Sequence, residues 1–248
     1  RDVRCDTKRR TPMIRLHFWP TPNGYKPLLF LEEAGIRYEV LPTNINKGDQ
    51  FKPSFLAIAP NNRIPAIEDL APATGGRPVT VFESGAILLY LAEKSGQFLG
   101  SGLHERFDII QWLFWQMAGL GPMAGQNHHF SGYAPEKLPY AINRFRNETS
   151  RLYAVLDRKL ETREFIADTY SIADMACYPW IVFHERQGQN LDDFPNVKRW
   201  FGEIAKRPAT KRSYEIGREV TATPSASNEE ERAVLFGQSS ATIRRQAP

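Results

Sequence analysis

The sequence predicts an α/β domain built on four strands, followed by an all-helical domain. Three observations carry that expectation. The first hundred residues alternate short β-branched and aromatic runs with longer helical patterns, which builds a sheet layered with helices. Beyond residue 100 no convincing strand appears and the apolar spacing becomes helical almost throughout. A chain of 248 residues, 42% hydrophobic, 12% aromatic and 24% charged, has the composition of a globular protein and room for one large domain or two small ones.

In chain order, Met13 to Trp19 reads as a strand. Thr21-Pro22-Asn23-Gly24 is turn chemistry, and Tyr25 to Ala34 then places Leu28, Leu29, Phe30 and Leu31 inward with Glu32 and Glu33 outward, a helix stopped by Gly35. Arg37 to Pro42 is a second strand, Gln50 to Ile58 a short helix, Ile64 to Leu70 a third strand and Val79 to Phe82 a fourth. Glu83 to Lys94 is a strongly apolar helix ending at Ser95-Gly96. The order is β-α-β-α-β-β-α.

The second domain offers helices over Glu105 to Met117 with an extension towards His129, Pro135 to Glu161, Ser171 to Arg186 and Pro195 to Arg207. Ser171-Ile172-Ala173-Asp174 has the form of a capping box, a structural role. Thr221 to Glu231 is rich in small, polar and acidic residues and reads as an extended tail, with at most a short helix near Ala233 to Phe236. The expected division is a basic arm over 1–12, the α/β domain over 13–98, the helical domain over 104–215 and a tail over 216–248.

The net charge of +4 is concentrated in the arm, where Arg1, Arg4, Lys8, Arg9 and Arg10 face only Asp2 and Asp6. The body is almost neutral and lacks the basic face of a phosphate-backbone binder, so no nucleic-acid partner is expected. No apolar run approaches the roughly 18 residues of a membrane span, and none follows the arm to make a secretory signal. A cytoplasmic protein without a membrane partner is expected. Cys5 and Cys177 stand far apart with no C-x-x-C, which leaves neither a zinc site nor a protein dithiol. Cys177 lies in an apolar run and reads as a small buried hydrophobe. His128 and His129 are adjacent, about 100° apart on a helix, so no metal site is expected.

Three stretches are candidates for chemistry. At Trp19-Pro20-Thr21-Pro22-Asn23-Gly24 a helix starting just after a strand presents free amides and a positive dipole end, which suits a thiolate; the same residues read as a plain turn capped by Thr21 or Asn23. At Asn62-Arg63-Ile64-Pro65-Ala66-Ile67 a proline opening a strand tolerates a cis bond that aims backbone groups at a ligand, or simply marks an edge strand. At Phe82-Glu83-Ser84-Gly85 a carboxylate and a hydroxyl open an apolar helix, as caps or as holders of a ligand's ammonium and carboxylate.

Together with Phe30-Leu31-Glu32-Glu33-Ala34, the helix following Phe82, Gln111-Trp112-Leu113-Phe114-Trp115-Gln116, Gly119-Leu120-Gly121-Pro122-Met123 and Gly125-Gln126-Asn127-His128-His129-Phe130, these stretches resemble the glutathione transferase superfamily, and within it the Nu class of bacterial disulfide-bond oxidoreductases. The resemblance covers roughly residues 13 to 215. It implies a thioredoxin-like N-terminal domain, with a mixed four-stranded sheet, and a helical C-terminal domain. Thr21 would direct its hydroxyl at the glutathione sulfur with Asn23 beside it. Gln50, Arg63, the backbone at Ile64, and Glu83 with Ser84 at the γ-glutamyl end would hold the tripeptide, and Arg144 would reach it from the helical domain. Pro27 and Arg63, the latter standing for a lysine, depart from the family pattern.

The activity so implied is glutathione-dependent reduction of small disulfides, with peroxide reduction and weak conjugation as lesser activities, in a homodimer. A hydroxyl donor and a helix N-terminus both favour a thiolate. Two other readings stand beside it: a conventional conjugating transferase acting on electrophiles, and a non-catalytic glutathione-binding regulatory protein.

Overall fold

The computed structural model describes residues 13–223 and 228–245, so the basic arm, with Cys5, lies outside the described residues. Strand β1 (Ile14–Phe18) alternates buried Ile14, Leu16 and Phe18 with half-buried Arg15 and His17, the period-two pattern of a strand. It pairs in parallel with β2 (Tyr38–Pro42) and antiparallel with β3 (Ala66–Asp69), which pairs antiparallel with β4 (Val79–Phe82). The order β2-β1-β3-β4 makes the mixed four-stranded sheet. Its two faces differ. Leu16, Phe18 and Ile67 enter the main core, whereas Ala66 packs with Phe55 and Ala59 in a small cluster on the other side. Pro65 precedes a strand flanked on both sides, so it does not mark a sheet edge, and the Ile64–Pro65 peptide is cis.

Helix α1 (Pro22–Ala34) begins before Tyr25, where the sequence places its start. Proline's fixed φ suits the first helical position, and the Thr21 hydroxyl accepts from Gly24 N at 3.2 Å, so the expected turn is the helix's own first turn. Gly24 is required there: a Cβ would lie 2.1 Å from the Trp19 carbonyl oxygen. The helix expected over 50–58 shrinks to a 3-10 turn at Asp49–Phe51 and the single turn of α2 (Pro53–Leu56), with Pro53 at the first helical position, where its missing N–H leaves no helical bond unmade. Helix α3 (Ser84–Ser95) completes the domain.

Helices α4 (Leu103–Trp115) and α5 (Gly121–His128) join through a π-helical turn at Gln116–Leu120, and a second at His129–Tyr133 extends the rod past the expected His129. Then come α6 (Pro139–Lys159), α7 (Ile172–Ile181), α8 (Pro195–Lys206) and α9 (Pro208–Val220). The sequence reading contains no counterpart of α9. Helix α7 stops short of the expected Arg186 and tightens into a 3-10 turn at Glu185–Gln187, closed by left-handed Gly188 at φ 67. All of α7 is buried, because it packs on α1, α3, α4 and α5 at once. The Ser171 capping box is formed, and Asp174 anchors it: Oδ2 accepts from Ser171 N (2.9 Å) and Oγ (3.1 Å), Oδ1 from Ile166 N (3.0 Å) and Trp200 Nε1 (2.8 Å). Past Val220 the short helix expected near 233–236 is α10 (Glu229–Phe236), longer by four residues at its start and capped by Asn228, and α11 (Ser240–Arg245), which the sequence does not predict, follows it. Among the described residues no helix is long and apolar enough to cross a membrane.

Candidate active site

The cleft lies where the C-terminal end of β1 feeds the start of α1, and the rod formed by α4 and α5 closes its other wall. Its largest cavity, about 680 Å3, is lined by Asn23, Lys26, Arg63, Gln116, Trp180 and Phe236 among others. That volume is in the range of small-molecule sites. Three smaller cavities continue it, and Arg63 lines all four. Burial lowers the Arg63 guanidinium from its ordinary value, yet a guanidinium keeps its charge at neutral pH, so the cleft is positively biased.

Thr21 lines two of these cavities. Its oxygen already accepts the Gly24 amide, which leaves the hydroxyl proton free to donate. Capping and ligand contact are therefore compatible in one side chain. Asn23 lines three of the cavities, its Oδ1 accepting from Trp180 Nε1 at 3.1 Å across the two domains. Gln50 is 1% exposed; its Nε2 donates to the Ile45 carbonyl at 3.1 Å, while Oε1 is buried without a partner beside the cavity shared by Thr21, Asn62 and Ile64. Glu83 and Ser84 sit with Asn61 and Arg63 around a further cavity of about 240 Å3. Glu83 adopts φ 70, ψ 116, a region non-glycine residues avoid, and accepts from Asn61 Nδ2 at 3.3 Å. A strained residue at the mouth of a cleft is a usual mark of function.

Of the residues expected in the site, the structure brings Thr21, Asn23, Gln50, Arg63, Ile64, Glu83 and Ser84 around contiguous cavities. Arg144 lines none of these four cavities; it is exposed on α6 and lies 3.6 Å from Glu148. Sequence reasoning missed Lys26, Gln116 and Met117, and the wall added by Leu235 and Phe236 of α10. Phe236 sits on the rings of His129 and Tyr133, at 5.0 and 5.2 Å. Cys177 is fully buried and burial pushes its thiol well up, so it is no nucleophile. His128 is held near 4 by burial and by the Arg186 charge and stacks on Trp180. Among the described residues no group of three His, Cys, Asp or Glu side chains is placed to hold a metal ion.

The family description "Glutathione S-transferase, N-terminal domain" matches residues 11–93, and "Glutathione S-transferase, C-terminal domain" matches residues 129–208. The chain belongs to the glutathione S-transferase family. Among relatives in this family, disulfide-bond oxidoreductase YfcG of Escherichia coli is 55% identical over 199 residues, covering 80% of this chain and 93% of that protein. Disulfide-bond oxidoreductase YghU of the same organism is 41% identical over 231 residues, 88% of this chain and 78% of the relative. A glutathione transferase family member from Pseudomonas fluorescens, crystallised with two glutathione molecules bound, superposes with a TM-score of 0.77 at 43% identity, covering 82% of this chain and 92% of that one. A Pseudomonas putida glutathione transferase with one glutathione disulfide per subunit gives 0.77 at 40%, covering 82% and 91%. The sheet topology and the helical second domain are those of this glutathione S-transferase family.

Proposed function

We propose that the protein is a glutathione-dependent disulfide-bond oxidoreductase acting on small disulfides. One observation carries the reading: a cleft opens at the N-terminus of α1 onto a hydroxyl free to donate, while Cys177 is sealed in the core. Among the described residues no thiol reaches the cleft, and a bound glutathione is the thiol this reading places there. The names of the two Escherichia coli relatives and the glutathione and glutathione disulfide bound in the Pseudomonas structures support the same reading.

The residues present fit such a ligand. Gln50 Oε1, buried and unpartnered, is an acceptor waiting for an amide. Arg63 offers charge to carboxylates, the Ile64 backbone offers the peptide-like pairing an extended tripeptide needs, and Ser84 with Glu83 offers one donor and one carboxylate for a γ-glutamyl carboxylate and ammonium. Glutathione supplies the chemistry: two glutathione thiols reduce one disulfide to two thiols and leave as glutathione disulfide. The chain's part is to make the first thiol a thiolate. Thr21 donates its hydroxyl proton to the sulfur, the amides at the start of α1 add the positive end of the helix dipole, and Asn23, held by Trp180, fixes the neighbouring wall. The apolar side made by Met117, Trp180 and Phe236 favours slow conjugation of apolar electrophiles as a second activity.

We assign the protein to the cytoplasm, because the reaction draws on a pool of reduced glutathione, and to a homodimer. The dimer reading rests on α4, where Leu103, Phe107 and Phe114 are 69%, 57% and 60% exposed and, with half-buried Ile110, fall on one face at helical spacing. A stripe of that kind is a self-association surface. The function is tested by glutathione disulfide formation from hydroxyethyl disulfide, run beside conjugation of an aryl halide. Disulfide turnover far faster than conjugation is expected. Binding of glutathione with neither reaction would make the chain a regulatory module instead.

A further inference from the structure

Lys26 is the one described lysine buried to 1% exposure, and no carboxylate lies within ion-pair distance of it among the described residues. Its Nζ donates to Gln116 Oε1 at 2.5 Å, to Ser84 Oγ at 3.3 Å and to Met117 Sδ at 3.3 Å. An ammonium has three donors and no acceptor, and here three acceptors from α3 and the π-helical turn meet it. Burying a charge without a counter-ion is costly, so a placement like this stands against stability and calls for another reason. The reason lies in front of the amine. Ser84 and Met117 both line the cavity of about 240 Å3 that also touches Asn23, Arg63 and Glu83, and Lys26 itself lines the largest one.

We propose that Lys26 is the positioning residue of the γ-glutamyl pocket: its ammonium, set behind Ser84, turns the serine hydroxyl outward as a donor to the ligand's carboxylate and supplies the counter-charge for it. The inference rests on the glutathione reading above and names a residue that reading does not use. A charged Lys26 cannot accept from Ser84, so the hydroxyl proton has only Met117 Sδ, at 3.6 Å. A thioether is a weak acceptor that a carboxylate readily displaces. A neutral amine would instead accept the Ser84 proton and draw the hydroxyl inward, away from the cavity.

The charge state is therefore the switch, and it sits near neutrality: burial lowers Lys26 to about 7, opposed by Cys177 and Glu83. Of these, Cys177 on α7 is held protonated by its own burial, and Glu83 leads into α3 without touching the amine. From the π-helical turn only uncharged Gln116 and Met117 face it. The field at Nζ is thus short of negative charge until a carboxylate arrives. Binding then favours the ammonium, its proton affinity rises, and the protein takes up a proton. The sign follows: affinity is greatest below about pH 7 and declines as pH rises above the value of the free lysine.

The test uses the full chain and S-methylglutathione, whose blocked sulfur removes thiol titration, in calorimetric titrations from pH 6 to 8.5 in two buffers of different ionisation enthalpy. Wild type is expected to take up a fraction of a proton near pH 7.5 and to lose affinity across the range. Lys26→Met, which keeps the side-chain volume and adds no buried charge, is expected to bind about tenfold more weakly at pH 6.5, to show a flat affinity profile and to take up no proton. Ser84→Ala should weaken wild type strongly and Lys26→Met little, since the two act as a pair. Ligand binding by wild type with no proton uptake, or with the pH profile unchanged in Lys26→Met, overturns the proposal and leaves the glutathione reading standing. No binding by wild type at any pH overturns both.

Discussion

Helix α10 packs on the Ile45–Lys47 turn of the sheet domain and reaches the helical domain through Phe236, which makes Phe236→Ala an informative perturbation. The ring is 44% exposed and rests on His129 and Tyr133, so a little over half of an aromatic surface of about 200 Å2 is removed from water. At about 25 cal/mol/Å2 that burial is worth about 2.5 kcal/mol, of which alanine forfeits about 2 kcal/mol. The docked-to-undocked ratio of α10 should therefore fall about thirtyfold. Hydrogen exchange reads this directly: the amides of α10 should exchange faster by about that factor, while those of α7, buried along its whole length, keep their protection. Opening the wall should also raise the KM for the disulfide more than it changes kcat. Unchanged exchange in α10 would mean that Phe236 does not hold the helix down.

Asp174→Asn places an amide NH2 against the Ser171 amide or the Trp200 and Ile166 donors, since both carboxylate oxygens accept two hydrogen bonds; a loss of about 3 kcal/mol is expected in denaturant unfolding. His128 stays neutral in the fold down to about pH 4, below its ordinary value of 6.5, so the stability it contributes is complete above pH 6.5 and is lost as pH falls through 4, about 3 kcal/mol in all. In His128→Gln, melting temperature should fall less steeply between those limits. Phe114→Glu puts a charge on the exposed α4 stripe and should shift sedimentation from dimer to monomer, with the fold intact by circular dichroism.

Strands were legible because period-two patterns such as Ile14, Leu16 and Phe18 survive in the sequence, and the cap at Ser171 because its chemistry is local. Helix α9 was not legible: it buries Thr210, Ser213 and Gly217 beside Ile216, a face with little apolar signal. That face is shaped for Tyr25, whose hydroxyl would lie 2.0 Å from a Cβ on Gly217. The start of α1 was misplaced because Thr-Pro-Asn-Gly reads as a turn, and only the Thr21 cap reveals the helix. Within the site, Thr21, Asn23, Arg63 and Ser84 could be read from local motifs. Lys26 escaped notice because a lysine on a helix is expected outside, although its spacing from Leu29 and Phe30, both fully buried, places it on the inward face. The wall made by α10 could not be read locally, because it depends on where a distant segment folds back.

The role proposed for Thr21, a hydroxyl that holds a glutathione thiolate for attack on a disulfide, is tested by kcat for hydroxyethyl disulfide reduction at pH 7 in wild type and Thr21→Ala, with glutathione KM from the same curves. In Thr21→Ala kcat is expected to fall by about tenfold or more, the worth of one hydrogen bond to a charged group, with KM changed by less than about twofold because Gln50, Arg63 and Ser84, the residues proposed to hold the tripeptide, are unchanged. An unchanged kcat in the folded variant would contradict it.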